Sequence, residues 1–231
     1  MSKAEAIDRL IESALEEFSL RGYEGASLRD IASRGGVTLS TIHRYFDSKL
    51  KLFVAVHQRV WDAINADRDQ RLEQVLREQP PRIEAIFRAL IEPVVLRVFG
   101  NEDARRVVDL LRYATIARRH IGPHAPLARG YKAISRKWLA LIGQALPDLS
   151  ADALVWGFSF AVGSLYSWQL FDHLYDDVLP HDRELSPDEI TDMLTAFCCA
   201  GLRGLEASEL ERNRMRTSVH IPRLSSQPPR N

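Results

Sequence analysis

Apolar side chains recur three and four positions apart along nearly the whole chain, and no run alternates with period two between turn signals. The pattern predicts an all-α fold. Ile7, Ile11, Ala14, Leu15 and Phe18 share one face of a first helix over roughly residues 4–21, with Gly22 as its C-terminal breaker. Ser27 opens a short second helix, its hydroxyl taking an amide of the first turn and Asp30 reaching back. Gly35-Gly36 stops that helix. Thr38 caps a third, ending near Phe46, and Asp47-Ser48 starts a long fourth through Leu52, Val56, Val60 and Ile64.

Further on, Pro80-Pro81 precedes a helix from Ile83 to about Phe99, bent at Pro93, where a bend leaves room for a cavity. Helices follow over Glu102–His120 and Leu127–Leu146, separated by the Gly122-Pro123-His124 turn. The last two are the most apolar: one capped by Ser150 and running through Trp168 and Phe171, and one opened by the Ser186-Pro187-Asp188-Glu189 capping box and ending near Glu206. Arginines, serines and three prolines from Glu209 onward read as a mobile tail. The expected organisation is a small domain over residues 1–50, a larger one over 51–208 and a disordered tail over 209–231.

Composition refines this little: 45% hydrophobic and 27% charged residues describe an ordinary globular protein. Net charge is zero, so total charge names no partner, but its distribution does. Residues 26–59 carry Arg29, Arg34, Arg44, Lys49, Lys51 and Arg59 against Asp30 and Asp47 alone. Cys198 and Cys199, adjacent in an apolar stretch, read as core thiols of a cytoplasmic protein. Glu5, Asp8 and Glu12 interrupt the N-terminal pattern, which predicts no signal peptide, and no run is long and apolar enough to predict a membrane span.

Two short helices joined by a Gly-Gly turn inside a basic segment form a helix-turn-helix signature. Stepping about 100° per residue around the third helix puts Leu39, Ile42 and Phe46 inward and Ser40, Thr41 and Arg44 outward, with His43 and Tyr45 on the flanks. Such a helix in a DNA major groove offers its outer side chains to base edges and its flanks to phosphates. Thr41 and Arg44 are the expected base readers, Tyr45 and His43 the expected phosphate contacts, and Ser40 and Thr38 supports. Ser27 and Lys49, at neighbouring helix starts, add positioning contacts.

The run Ile7–Val56 closely resembles the N-terminal domain of the TetR family, through Phe18, Gly22, Tyr23, Ile31, Ala32, Gly36, Val37, Tyr45, Phe46, Lys49 and Leu52. Gly35 departs from the usual alanine, Ser40 from a frequent glycine and His43 from a tyrosine that in the family commonly touches phosphate. The resemblance implies a homodimer bound to a palindromic double-stranded operator, with its last two helices paired across the two-fold axis, and a small-molecule effector held inside each larger domain. Trp156, Gly157, Phe160, Leu165, Leu194, Phe197 and Leu202 are the interface candidates. Leu90, Val94, Tyr113, Phe158 and Tyr166 are the expected cavity lining, with Arg118 available for an anionic effector. Repression relieved by the effector is the expected outcome, and activation the alternative.

No catalytic spacing appears: there is no phosphate loop, nucleophile elbow or His-Glu-x-x-His pair, and no cofactor is implied. Asp172, His173, Asp176, Asp177 and His181, like the His120 and His124 pair, read as a solvated surface in preference to a metal site. The reading outside transcription is a helical small-molecule binder or enzyme with a vestigial N-terminal module, which intact Arg44, Tyr45 and Lys49 disfavour.

Overall fold

The computed structural model describes residues 3–77, 81–102, 104–111, 126–168 and 185–218, which are helical apart from turns and short connections and contain no strand. The helices are α1 (Lys3–Gly25), α2 (Leu28–Arg34), α3 (Leu39–Phe46), α4 (Lys49–Val75), α5 (Ile83–Val98), α6 (residues 104–111), α7 (Pro126–Ala145), α8 (Ala151–Ser167) and α9 (Pro187–Ser218). None is long and apolar enough to cross a membrane.

Helices α1–α3 close over the first turns of α4. Leu10, Ala14, Phe18, Ile31, Ala32, Ile42, Leu52 and Phe53 are buried together, with the Phe53 ring edge-on to Phe18 at 5.0 Å and to Tyr23 at 5.2 Å. Gly22 interrupts α1 as expected, at φ 66° and ψ −179°, but a last turn continues to Gly25. The α2 cap forms in altered shape. Ser27 Oγ accepts from the Asp30 amide, yet the carboxylate at the Ser27 amide belongs to buried Glu17 of α1, at 3.3 Å, where Asp30 was expected. A tertiary contact therefore replaces half of a local capping box, and Arg21 and Arg34 balance the Glu17 charge.

The Gly-Gly turn divides its labour. Gly35 is right-handed, and a Cβ there would meet Ile31 O and Ser13 Oγ at 3.2 Å; Gly36 is left-handed at φ +63°, where a Cβ would meet only Arg9 Nη1, at an ordinary 3.9 Å. Gly36→Ala is expected to cost about 1–2 kcal/mol through backbone strain alone. Urea unfolding of the variant checks this, and an unchanged midpoint would contradict it.

The long helix α4 belongs to both halves of the molecule. Its lower end packs on α1, and its upper end lies against α5, where Arg71 pairs with Glu92 and Arg97 of α5 reaches back to Asp67. Helix α5 is the centre of the larger domain, burying Ile86, Phe87, Leu90, Ile91, Val94 and Val95 against α4, α7 and α9. Pro93 lies buried within it, and Arg97 Nη1 donates to its carbonyl at 2.7 Å. Helices α8 and α9 run antiparallel. A Cβ on Gly157 would stand 3.2 Å from Leu202 Cγ and Leu205 Cδ1, so that glycine lets the two helices approach within one chain.

Helix α9 does not stop near Glu206 but continues to Ser218, so residues 209–218 are not a tail. The extension is held from outside: Glu209 accepts from the Ser150 amide at 2.8 Å and from its hydroxyl at 2.6 Å, and these bonds keep the Glu209 carboxyl below its ordinary range. Ser150 also caps α8, and the Ser186–Glu189 capping box forms as expected. The segment expected to be helical over Glu102–His120 is helical at 102 and 104–111; residues 103 and 112–120, the Gly122-Pro123-His124 turn and Phe171 lie outside the described residues. So do the acidic and histidine cluster around Asp176 and the chain beyond 218. Cys198 and Cys199 are buried, and burial pushes their thiols up to about 11 and about 12, where they act as apolar core.

Candidate nucleic-acid interface

Helix α3 presents the expected faces. Ile42 is fully buried and Phe46 packs against the core, whereas Leu39 is only half-buried. Ser40, His43 and Arg44 are exposed and Thr41 partly so. At the N-terminus of the helix the Thr38 hydroxyl accepts from the Thr41 amide at 3.3 Å and lies 2.7 Å from Ser40 Oγ and 2.9 Å from Thr41 Oγ1. Three hydroxyls thus form one polar cluster where the helix dipole is positive. His43 Nδ1 lies 3.5 Å from the Asp47 carbonyl, and Tyr45 packs at the core edge with the Lys3 ammonium 5.8 Å from its ring centroid.

The local basic excess resolves into two groups. Arg34 pairs with Glu16, Lys51 with Asp47 and Arg59 with Asp8, so these cations are neutralised within the chain. Lys51 also holds the Asp47 carboxyl below its ordinary range. Among the described residues Arg29, Arg44 and Lys49 have no carboxylate partner. The Lys49 ammonium donates to the Glu24 carbonyl at 3.0 Å and lies 4.9 Å from the Tyr23 ring centroid, beside the end of α1. Charge left for an outside anion is therefore that of Arg29, Arg44 and Lys49, the last two on either side of the α3–α4 junction. Sequence spacing missed Lys3, because its approach to Tyr45 depends on how α1 crosses α3.

In the larger domain Leu90, Val94, Phe158 and Tyr166 are all buried, while Tyr113 and Arg118 lie outside the described residues. Arg68 of α4 joins this group unannounced, its side chain bonded to the Leu90 carbonyl and the Tyr166 hydroxyl. The signal was available: Arg68 follows Trp61 and Ile64 and precedes Leu72 on the helix face that the apolar pattern turns inward.

The interface candidates separate into two sets. Trp156, Phe160 and Phe197 are exposed on α8 and α9, joined by Val155 and Met193, which the sequence reading passed over. Gly157, Leu165 and Leu202 are buried within the chain, and Leu194 packs partly against its core, so these four do not form the outer face.

Residues 10–56 match the family described as bacterial regulatory proteins, tetR family, and residues 88–201 match the tetracyclin repressor-like C-terminal domain. A transcriptional repressor, KstR of Mycolicibacterium smegmatis, is 28% identical over 118 residues, covering 44% of this chain and 54% of that protein. The transcriptional activator FasR of the same organism is 43% identical over 51 residues, 22% of this chain and 23% of that protein. The chain spans about half the length of the curated KstR relatives it matches. In three dimensions a TetR-like transcriptional regulator from Rhodococcus sp. RHA1 superposes with a TM-score of 0.62 over 88% of this chain and 99% of that one, at 17% identity, which speaks for the fold. Matched in both its helix-turn-helix and its larger helical domain, the chain belongs to the TetR family of DNA-binding transcription regulators, a family of regulators and not of enzymes.

Proposed function

We propose that this chain is a cytoplasmic, homodimeric repressor, released from a palindromic operator when a small molecule enters the larger domain. The observation that carries the reading is α3 itself, anchored by Ile42 and turning Ser40, Thr41 and an Arg44 with no carboxylate partner among the described residues outward beside Lys49. On this reading Thr41 and Arg44 touch base edges; Tyr45, His43, Lys49 and Ser27 meet phosphates; and Thr38 and Ser40 organise the helix start. The first 50 residues form the DNA-binding domain, and α4 carries the chain into the sensing and dimerisation domain. The longer match to repressors named KstR favours repression over the activation named in FasR.

The effector region is the buried group of Leu90, Val94, Phe158 and Tyr166, and the dimer seam is the face bearing Trp156, Phe160 and Phe197. Two DNA-binding domains of one dimer stand about 34–36 Å apart on successive major grooves, and an effector that favours another spacing lowers affinity. A physical connection is in place. Arg106 of α6 lies 3.7 Å from Glu16 of α1, and Glu16 also holds Arg34 at the end of α2 at 2.5 Å.

Fluorescence anisotropy on the DNA upstream of its own gene, across a salt series, tests the reading. Arg44→Ala is expected to lose about 1–3 kcal/mol of discrimination between operator and scrambled DNA. Lys49→Ala should weaken all sequences alike and reduce the salt slope by about 1. Equal loss on every sequence for Arg44→Ala would remove its base-reading role. Absence of sequence-specific binding there and in a genome-wide search would overturn the proposal.

A further inference from the structure

Arg68 is 2% exposed, in the middle of the larger domain, and its partners among the described residues are all neutral. Nε donates to the Leu90 carbonyl at 3.0 Å, Nη1 to Asn65 Oδ1 at 3.3 Å and Nη2 to the Tyr166 hydroxyl at 3.4 Å, while Trp61 covers it with Cζ 5.8 Å from the ring centroid. Burying a guanidinium without a counter-charge is costly, so an arginine in a core is ordinarily paired with a carboxylate. The nearby acids are engaged elsewhere: Asp67 with Arg97, Asp69 with Lys137, and Glu92 with Arg71 and Arg88. His57, stacked on Trp61, is held neutral by burial and adds no charge of either sign.

Three of the five guanidinium N–H groups are used, leaving one on each terminal nitrogen without a partner among the described residues. Two N–H groups on a planar cation suit the two oxygens of a carboxylate. We infer that the effector is an apolar carboxylic acid whose carboxylate pairs with Arg68. Its hydrocarbon body lies along Leu90 and Val94, one turn further on α5, and toward Phe158, two turns before Tyr166 on α8. The inference rests on the reading of this region as the effector site, and it names the effector's charge and the residue that holds it. It also explains why an arginine occupies a position where the apolar pattern of α4 calls for leucine. The missing counter-ion comes with the ligand, and the ligand is thereby selected over neutral molecules of the same shape.

The test is isothermal calorimetry of the full chain with octanoate, decanoate and phenylacetate, each compared with its own alcohol, octanol, decanol and 2-phenylethanol. At least one acid is expected to bind about tenfold or more tightly than its alcohol, the difference made by charge-assisted hydrogen bonds. Arg68→Met should abolish that advantage while leaving the alcohol affinity in place, and Arg68→Lys should retain part of it. Alcohols binding as tightly as the acids, or an advantage surviving in Arg68→Met, would overturn the assignment of an anionic effector while leaving the site itself standing. Failure of every acid and every alcohol to bind would overturn the site and this inference together. The comparison of acid with alcohol in the unaltered protein requires no variant to fold.

Discussion

Replacing Trp156 and Phe197 together by glutamate is expected to leave a folded monomer whose affinity for a two-fold operator is lower by about 10²–10⁴, the avidity that linking two half-sites supplies. The two side chains are 62% and 67% exposed, so neither holds its own chain together. Beside them Phe160, Met193 and Val155 are also exposed, and the Trp156 and Phe160 rings lie 6.1 Å apart, so α8 and α9 each turn large apolar side chains outward. Each such side chain contributes about 1.5–3 kcal/mol when fully covered, and a carboxylate at the same place brings a desolvation cost instead. Light scattering reads the assembly and anisotropy the DNA affinity. Leu202→Glu is the contrasting case: Leu202 is 2% exposed, so this change should unfold the chain and not merely separate two copies. A double variant that stays dimeric would place the seam elsewhere.

The second large effect is expected in acid. His57, on the buried face of α4 and stacked on Trp61 with centroids 6.0 Å apart, has its pKa lowered by burial to about 4 from 6.5. Because the folded value lies below the unfolded one, the unfolded chain binds the extra proton between these limits. Stability is therefore complete above pH 6.5 and falls as pH drops toward 4, by about 3 kcal/mol from this group alone. Urea unfolding at pH 7 and pH 4.5 should show the loss, and His57→Leu should remove most of it. The carboxyl groups of Glu84, lowered by a backbone hydrogen bond and by Arg203, and of Glu209, lowered by Ser150, are common to both proteins. Their contribution cancels in the difference, and an identical pH dependence for the variant would refute the assignment to His57.

The helix-turn-helix was legible because its boundaries are set mainly by side chains acting on their own backbone: Ser27, Thr38 and Ser48 each accept an amide of the turn they open, and Gly36 takes the left-handed conformation of the turn between α2 and α3. What the sequence concealed depends on contacts between elements. Glu17 reaches Ser27 across ten positions, and Glu209 reaches Ser150 across fifty-nine, which is why α9 outruns its apolar pattern. The α8 and α9 faces were misdivided for another reason. Apolar residues surround α8 on nearly every side, and periodicity then cannot tell the side facing α9 from the side facing outward, so it does not separate buried Gly157 and Leu165 from exposed Val155 and Trp156. Arg68 was hidden by its chemistry, since a charged residue at a core position is read as surface unless its register along the helix is followed.

Of the eight residues of α3, Ile42 alone is fully buried. The chemistry that would read a base sequence and the chemistry that keeps the helix in place are therefore carried by different side chains. Positions 41 and 44 can change under selection with less consequence for folding than Ile42, the Thr38 cap with its Ser40 neighbour and the Gly36 turn, which hold the frame constant. Duplicated copies of such a gene can diverge to recognise new operators by a few substitutions at the outer face, each tested by function alone and not by survival of the protein.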